Sequence, residues 1–140
     1  MENKKVYLDT NIVADILDAT RKGHSLSIKL LEYFALEDYE IFIREDMITT
    51  LYYISKNKNE TLEFFKNLVL LDWNISSFGK NVLKNAIDLS LEKSIDLEDT
   101  LQCLCAKENG CKVLITHDKI FYDCGLSIYT IEEFLKVKIK

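Results

Sequence analysis

Apolar residues follow two rhythms along this chain. Short unbroken runs, Val6-Tyr7-Leu8, Ile41-Phe42-Ile43 and Val113-Leu114-Ile115, end abruptly at polar residues. Runs of this kind, without polar alternation, predict strands buried on both faces. Between them, apolar positions recur every three or four residues, the period of a helix with one buried face. The spacing predicts helices over Ile12–Ala19 (capped by Asn11), Ser25–Leu36, 46–56, 59–69 and 79–92. Leu70–Trp73 reads as a weak strand. Asp96 is an N-cap for a helix over Leu97–Glu108, which Asn109-Gly110 terminates. Lys112–Thr116 predicts a strand, Ser127–Thr130 a short edge strand and Ile131–Lys136 the last helix. Strands alternating with helices imply an α/β fold with a short, mainly parallel central sheet flanked by helices.

Length adds that this is one domain, 1–140, large enough to bury a core without a metal or disulfide staple. The chain carries 18 Lys+Arg against 23 Asp+Glu, a formal charge of −5, and lacks the basic stripe of a general nucleic-acid coat protein. A local nucleic-acid site is compatible with that balance. No stretch approaches the roughly 18 apolar residues of a membrane span, and the N-terminal run is too short for a signal-peptide core. Cys103, Cys105, Cys111 and Cys124 crowd into the last third of the chain, which argues for reduced, buried thiols in a cytoplasmic protein. No CxxC pair exists, and Cys103 and Cys105 point to different helix faces, so zinc is disfavoured.

In open parallel sheets, ligands bind outside the carboxyl ends of the strands. Two strands here end alike: Leu8-Asp9-Thr10-Asn11 and Ile115-Thr116-His117-Asp118 each present a hydroxyl residue and an aspartate. Glu98-Asp99 lies in the first turn of the helix leading to the second of them. Singly, each acid has a structural explanation as a turn residue or a partner of the helix dipole. Together, carboxylates drawn from three points of the chain repel one another, and a hard cation such as Mg²⁺ or Mn²⁺ resolves that conflict. A cation so held can activate water and stabilise the leaving oxygen of a phosphodiester.

At these residues the chain resembles a PIN-domain ribonuclease, and more closely the VapC-like toxins of toxin–antitoxin pairs. The likeness runs from Leu8 to Phe134 through four pieces: Leu8-Asp9-Thr10-Asn11, Asp96-Leu97-Glu98-Asp99-Thr100-Leu101, Ile115-Thr116-His117-Asp118 and Tyr129-Thr130-Ile131-Glu132-Glu133-Phe134-Leu135. It implies a Rossmann-like three-layer domain and Mg²⁺- or Mn²⁺-dependent hydrolysis of RNA. It also implies a homodimer and a small antitoxin as partner. Asp9, Asp99 and Asp118 match the family's metal-binding catalytic acids, with Thr10, Asn11 and Thr116 supporting them and Glu98 beside them. Where members commonly carry a fourth acid this chain has Thr50, and Glu45 or Asp46, one turn earlier, are its possible substitutes.

Two other readings stay open on the residues alone: a PIN domain that binds RNA or protein without cutting, and a haloacid-dehalogenase-like phosphatase with Asp9 as nucleophile. The second lacks the usual aspartate two positions on, which is Asn11 here. Arg44 and Lys119, near carboxyl-end loops, are candidates for holding RNA phosphates, and His117 reads as a solvent-facing loop residue. Tyr52, Tyr53, Phe64 and Phe65 read as core or dimer interface.

Overall fold

A computed structural model describes residues 3–118 and 121–138. Five strands form one sheet, β1 (Lys5–Leu8), β2 (Glu40–Arg44), β3 (Asn74–Ser76), β4 (Val113–Ile115) and β5 (Ser127–Tyr129). They are all parallel, in the order β3-β2-β1-β4-β5. Val6, Tyr7 and Leu8 are wholly buried, as the central strand of a sheet covered on both faces requires. From β1 the chain builds outward through β2 to β3, then crosses back to place β4 on the other side of β1. The reversal opens a crevice between the carboxyl ends of β1 and β4, the usual ligand position in such folds.

Helices α1 (Thr10–Leu17), α2 (His24–Leu36) and α8 (Ile131–Lys138) pack together, while α6 (Gly79–Lys93) pairs with α7 (Leu97–Glu108). Phe34 of α2 meets Phe134 of α8 edge-on at 5.7 Å, tying the first half of the chain to its last helix. Thr130 and Glu133 cap α8 reciprocally: the Thr130 backbone N–H donates to Glu133 Oε1 at 2.9 Å and the Glu133 N–H to Thr130 Oγ1 at 3.2 Å. The remaining helices are α3 (Met47–Ile54), α4 (Lys58–Phe64) and α5 (Leu70–Asp72), the last two joined by a π-helical segment, Phe65–Val69.

Three expectations are corrected. Helix α1 begins at Thr10, not after Asn11: the Asp9 carbonyl already accepts from the Ile12 and Val13 N–H groups at 3.0 and 3.3 Å, and Asn11 lies exposed in the first turn. Leu70–Trp73 is not a strand. Leu70 and Leu71 are largely exposed at the end of a helical run, and the β3 strand starts one residue beyond Trp73. The thiols are not all reduced, because Cys103 of α7 is disulfide-bonded to Cys124; Cys105 and Cys111 are free and buried. Crowding in sequence misled there, because the 20 residues between the two cysteines leave α7 and pass through β4 before Cys124. Among the aromatics, Phe65 is buried and Phe64 packs edge-on against Trp73, whereas Tyr53 stands exposed.

Candidate active site

Asp9 is the first residue past β1, and its N–H donates to the Ile115 carbonyl at 3.0 Å, extending the β1–β4 pairing into the crevice. Thr116 follows β4 directly beside it. The Thr116 hydroxyl donates to Asp9 Oδ2 at 2.7 Å and accepts from the Asp118 N–H at 3.1 Å, so one buried hydroxyl links two of the acids. The other Asp9 oxygen accepts from Gln102 Nε2 at 3.0 Å. Asp9 therefore receives its two side-chain hydrogen bonds from Thr116 and Gln102; Thr10 is buried and Asn11 exposed, and neither donates to it.

The third acid arrives on α7. Asp96 caps that helix as predicted, accepting from the Asp99 N–H at 3.2 Å. Asp99 then sits in the first turn with its side chain toward the crevice acids. Burial pushes its carboxyl up to about 6, and the charges of Asp96, Asp118, Asp9 and Glu98 push in the same direction. Asp9, Asp99 and Asp118, separate in sequence, are thus brought to one rim and act on one another. Glu98 is exposed at its edge.

The model of the PIN domain family matches residues 6–125. The chain belongs to the PIN domain family. Ribonuclease VapC1 of Aquifex aeolicus is 37% identical to it over 138 residues, covering 96% of this chain and 95% of that protein. Solved structures share the fold at lower identity. The sarcin-ricin-loop-cleaving toxin VapC20 of Mycobacterium tuberculosis superposes with a TM-score of 0.67 at 11% identity, covering 83% of this chain and 92% of the other. A toxin–antitoxin complex from Klebsiella pneumoniae gives 0.66 at 18% identity, covering 90% and 97%. VapBC2 of Rickettsia felis, bound to promoter DNA, gives 0.65 at 18%, covering 89% and 96%.

PIN membership sets aside the phosphatase reading and sharpens what the sequence left out. Gln102 was not among the predicted site residues. Its signal was present: it lies three residues after Asp99, on the same helical face, and it is a fully buried amide in an otherwise apolar stretch. The substitutes for a fourth acid are both engaged at the end of β2. Asp46 accepts from Arg44 Nε at 2.7 Å and a terminal Arg44 nitrogen at 3.2 Å, and Glu45 accepts from Ser77 at 2.8 Å. Thr50 donates to the Asp46 carbonyl at 3.4 Å. Arg44 is itself only 4% exposed, with its other terminal nitrogen on the Glu98 carbonyl at 3.3 Å, so it is a strut of the rim and not a hand for RNA phosphates. Lys119 lies outside the described residues. His117 is exposed in the loop after β4, as expected, and its Nε2 also lies 2.6 Å from Asp15 Oδ2.

The family implies a divalent cation. Among the described residues no three His, Cys, Asp or Glu side chains are gathered closely enough to close a protein cage around a metal. Mg²⁺ does not require one, since it keeps several waters and binds through one or two carboxylates. The donor set suits that mode. Each Asp9 oxygen accepts one hydrogen bond and retains a lone pair, and Asp99 holds a proton more tightly than usual because burial, and then the neighbouring carboxylates, disfavour its charge.

Proposed function

We propose that this chain is a divalent-cation-dependent endoribonuclease of the VapC type, the toxin of a toxin–antitoxin pair. One observation carries the reading: Asp9, Asp99 and Asp118 share a crevice rim in a chain 37% identical, across nearly its full length, to a ribonuclease. Asp9, Asp99 and Asp118 would hold Mg²⁺ or Mn²⁺. The cation supplies a water of lowered pKa and a positive charge for the scissile phosphate. Thr116 and Gln102 orient the Asp9 carboxylate by one donor on each oxygen, and Thr116 also fixes the backbone at Asp118. Asp96 holds the first turn of α7 and with it Asp99. Thr10, Asn11 and Glu98 surround these groups without bonding to them.

A homodimer, a small antitoxin and a cytoplasmic location belong to the same reading. Exposed Tyr53 and Ile54 on α3, with Leu70 and Leu71, offer apolar surface for such contacts. No described helix is long and apolar enough to cross a membrane. The second reading, a PIN domain that binds without cutting, draws on the open spacing of the acids and on Thr50. Cleavage of a labelled RNA with Mg²⁺ or Mn²⁺ separates the two. The proposal expects metal-dependent products from the wild type and their loss in Asp99→Asn; equal cleavage by both proteins would remove the catalytic assignment.

A further inference from the structure

A second cluster gathers around His117, the chain neighbour of Asp118. At its centre is Asp15 of α1, only 4% exposed. One of its oxygens accepts from Arg21 Nε at 2.7 Å, the other lies 2.6 Å from His117 Nε2, and its backbone carbonyl is 2.8 Å from His24 Nδ1. Gly23 closes the turn over it. A Cβ at that position would fall 2.2 Å from Asp15 Oδ2, so any other residue would push the carboxylate away. Helix α1, the turn leading into α2 and the end of β4 are thereby tied together through one side chain.

The ties leave donors over. A guanidinium offers five N–H groups in a planar fork, and Asp15 engages Arg21 through Nε. The Arg21 side chain stays 35% exposed and that of His117 45%. Lys22 is exposed and makes no hydrogen bond or ion pair among the described residues. Arg21, Lys22 and His117 line one open cleft of about 720 Å³, whose other walls include Ser25, Thr130 and Glu132. His117, on its wall, is the chain neighbour of Thr116 and Asp118, which puts the cleft next to the acid rim.

A chain of charge −5 with an acidic rim repels RNA except where local cations offset that charge. A metal at the rim serves one phosphate; those flanking it need donors of their own. Arg44 is withdrawn onto Asp46, whereas Arg21 and Lys22 are presented beside the rim and Arg21 is already oriented. We propose that this cleft seats the RNA backbone on one side of the scissile bond, with Arg21 and Lys22 holding successive phosphates and His117 at the junction with the acids. The placement of cleavage and the choice of RNA as occupant rest on the ribonuclease reading; the cationic lining of the cleft does not. Continuity with a phosphodiester site favours RNA over an acidic peptide as the occupant.

The test uses the full chain with Asp99→Asn, to prevent cutting, and a fluorescein-labelled single-stranded RNA 12-mer with Mg²⁺, read by anisotropy across a salt series. Lys22→Ala removes no described contact, so its folding is not at issue. It should weaken binding about 3- to 10-fold and reduce the slope of log K against log salt by about 0.7, one phosphate contact. Arg21→Ala should weaken binding further and Arg21→Lys should restore part of it, whereas Lys93→Ala on α6 should change neither quantity. Unchanged affinity and slope in Lys22→Ala and Arg21→Ala would overturn the proposal. So would an equal effect of Lys93→Ala, or binding of a polyglutamate probe in place of RNA. Cleavage by the parent with native Asp99 is followed in parallel. Absent cleavage with cation-dependent binding removes the ribonuclease reading and keeps the cleft, and intact cleavage with unaltered KM in Lys22→Ala does the reverse.

Discussion

Asp15 and Asp99 lie on helices that begin at the same rim, yet their surroundings differ in kind. Asp15 is almost fully buried, and its two oxygens face Arg21 and His117. Asp99 is less buried than Asp15, yet burial and then the surrounding carboxylates lift its pKa to about 6. A charge removed from water persists when it is paired and hydrogen-bonded. Asp15 satisfies that condition within the chain and so acts as a joint. Asp99 has no such cationic partner among the described residues, and under the proposed function a divalent cation would supply one. Uncompensated charge at a strand-end crevice therefore marks the chemistry better than burial does.

Each way of breaking this contrast has an expected size. Asp99→Asn should cut metal-dependent RNA cleavage by about two orders of magnitude or more, since it removes a cation ligand. The same variant should be more stable than wild type at pH 7 without metal. The sign follows from the raised pKa. The folded chain binds the Asp99 proton more tightly than the unfolded chain, so that stabilisation is complete below about pH 4 and is lost as pH rises through about 6. The gain of Asp99→Asn in chemical denaturation should accordingly disappear at pH 4.

Asp15→Ala should act oppositely, costing about 3 kcal/mol at pH 7 by leaving Arg21 and His117 without their shared anion. Urea titration reads it directly. Reduction, or Cys103→Ser with Cys124→Ser, should cost about 3 kcal/mol for a loop of 21 residues. Because that bond ties α7 to the segment after Asp118, it should also weaken Mn²⁺ binding. Asp96→Ala should cost about 1 kcal/mol as a lost N-cap, with a modest fall in cleavage as the first turn of α7 frays.

Much of this architecture was legible along the chain because it depends on local signals. Unbroken apolar runs marked β1, β2 and β4, and Asp96 announced α7 three residues before Asp99. The shared hydroxyl-and-acid endings of β1 and β4 picked out Asp9, Thr116 and Asp118. What was illegible depended on where side chains turn after folding. Arg44 reads as an exposed cation until Asp46 folds back on it, and nothing along the chain announces that the exposed loop residue His117 meets Asp15. Gln102 shares a helical face with Asp99, but only tertiary structure brings it to Asp9 across 93 positions. The α1 cap was misplaced because Asp9 serves the helix with its carbonyl while its side chain is occupied elsewhere.

The central proposal, that the Asp9–Asp99–Asp118 rim takes a divalent cation, is tested most directly by thermal melting with and without Mn²⁺. At pH 7.5 the wild type should gain several degrees with Mn²⁺, the gain should shrink at pH 5 as Asp99 takes up its proton, and Asp99→Asn should gain little at either pH. Identical Mn²⁺ shifts in wild type and Asp99→Asn at pH 7.5 would contradict it.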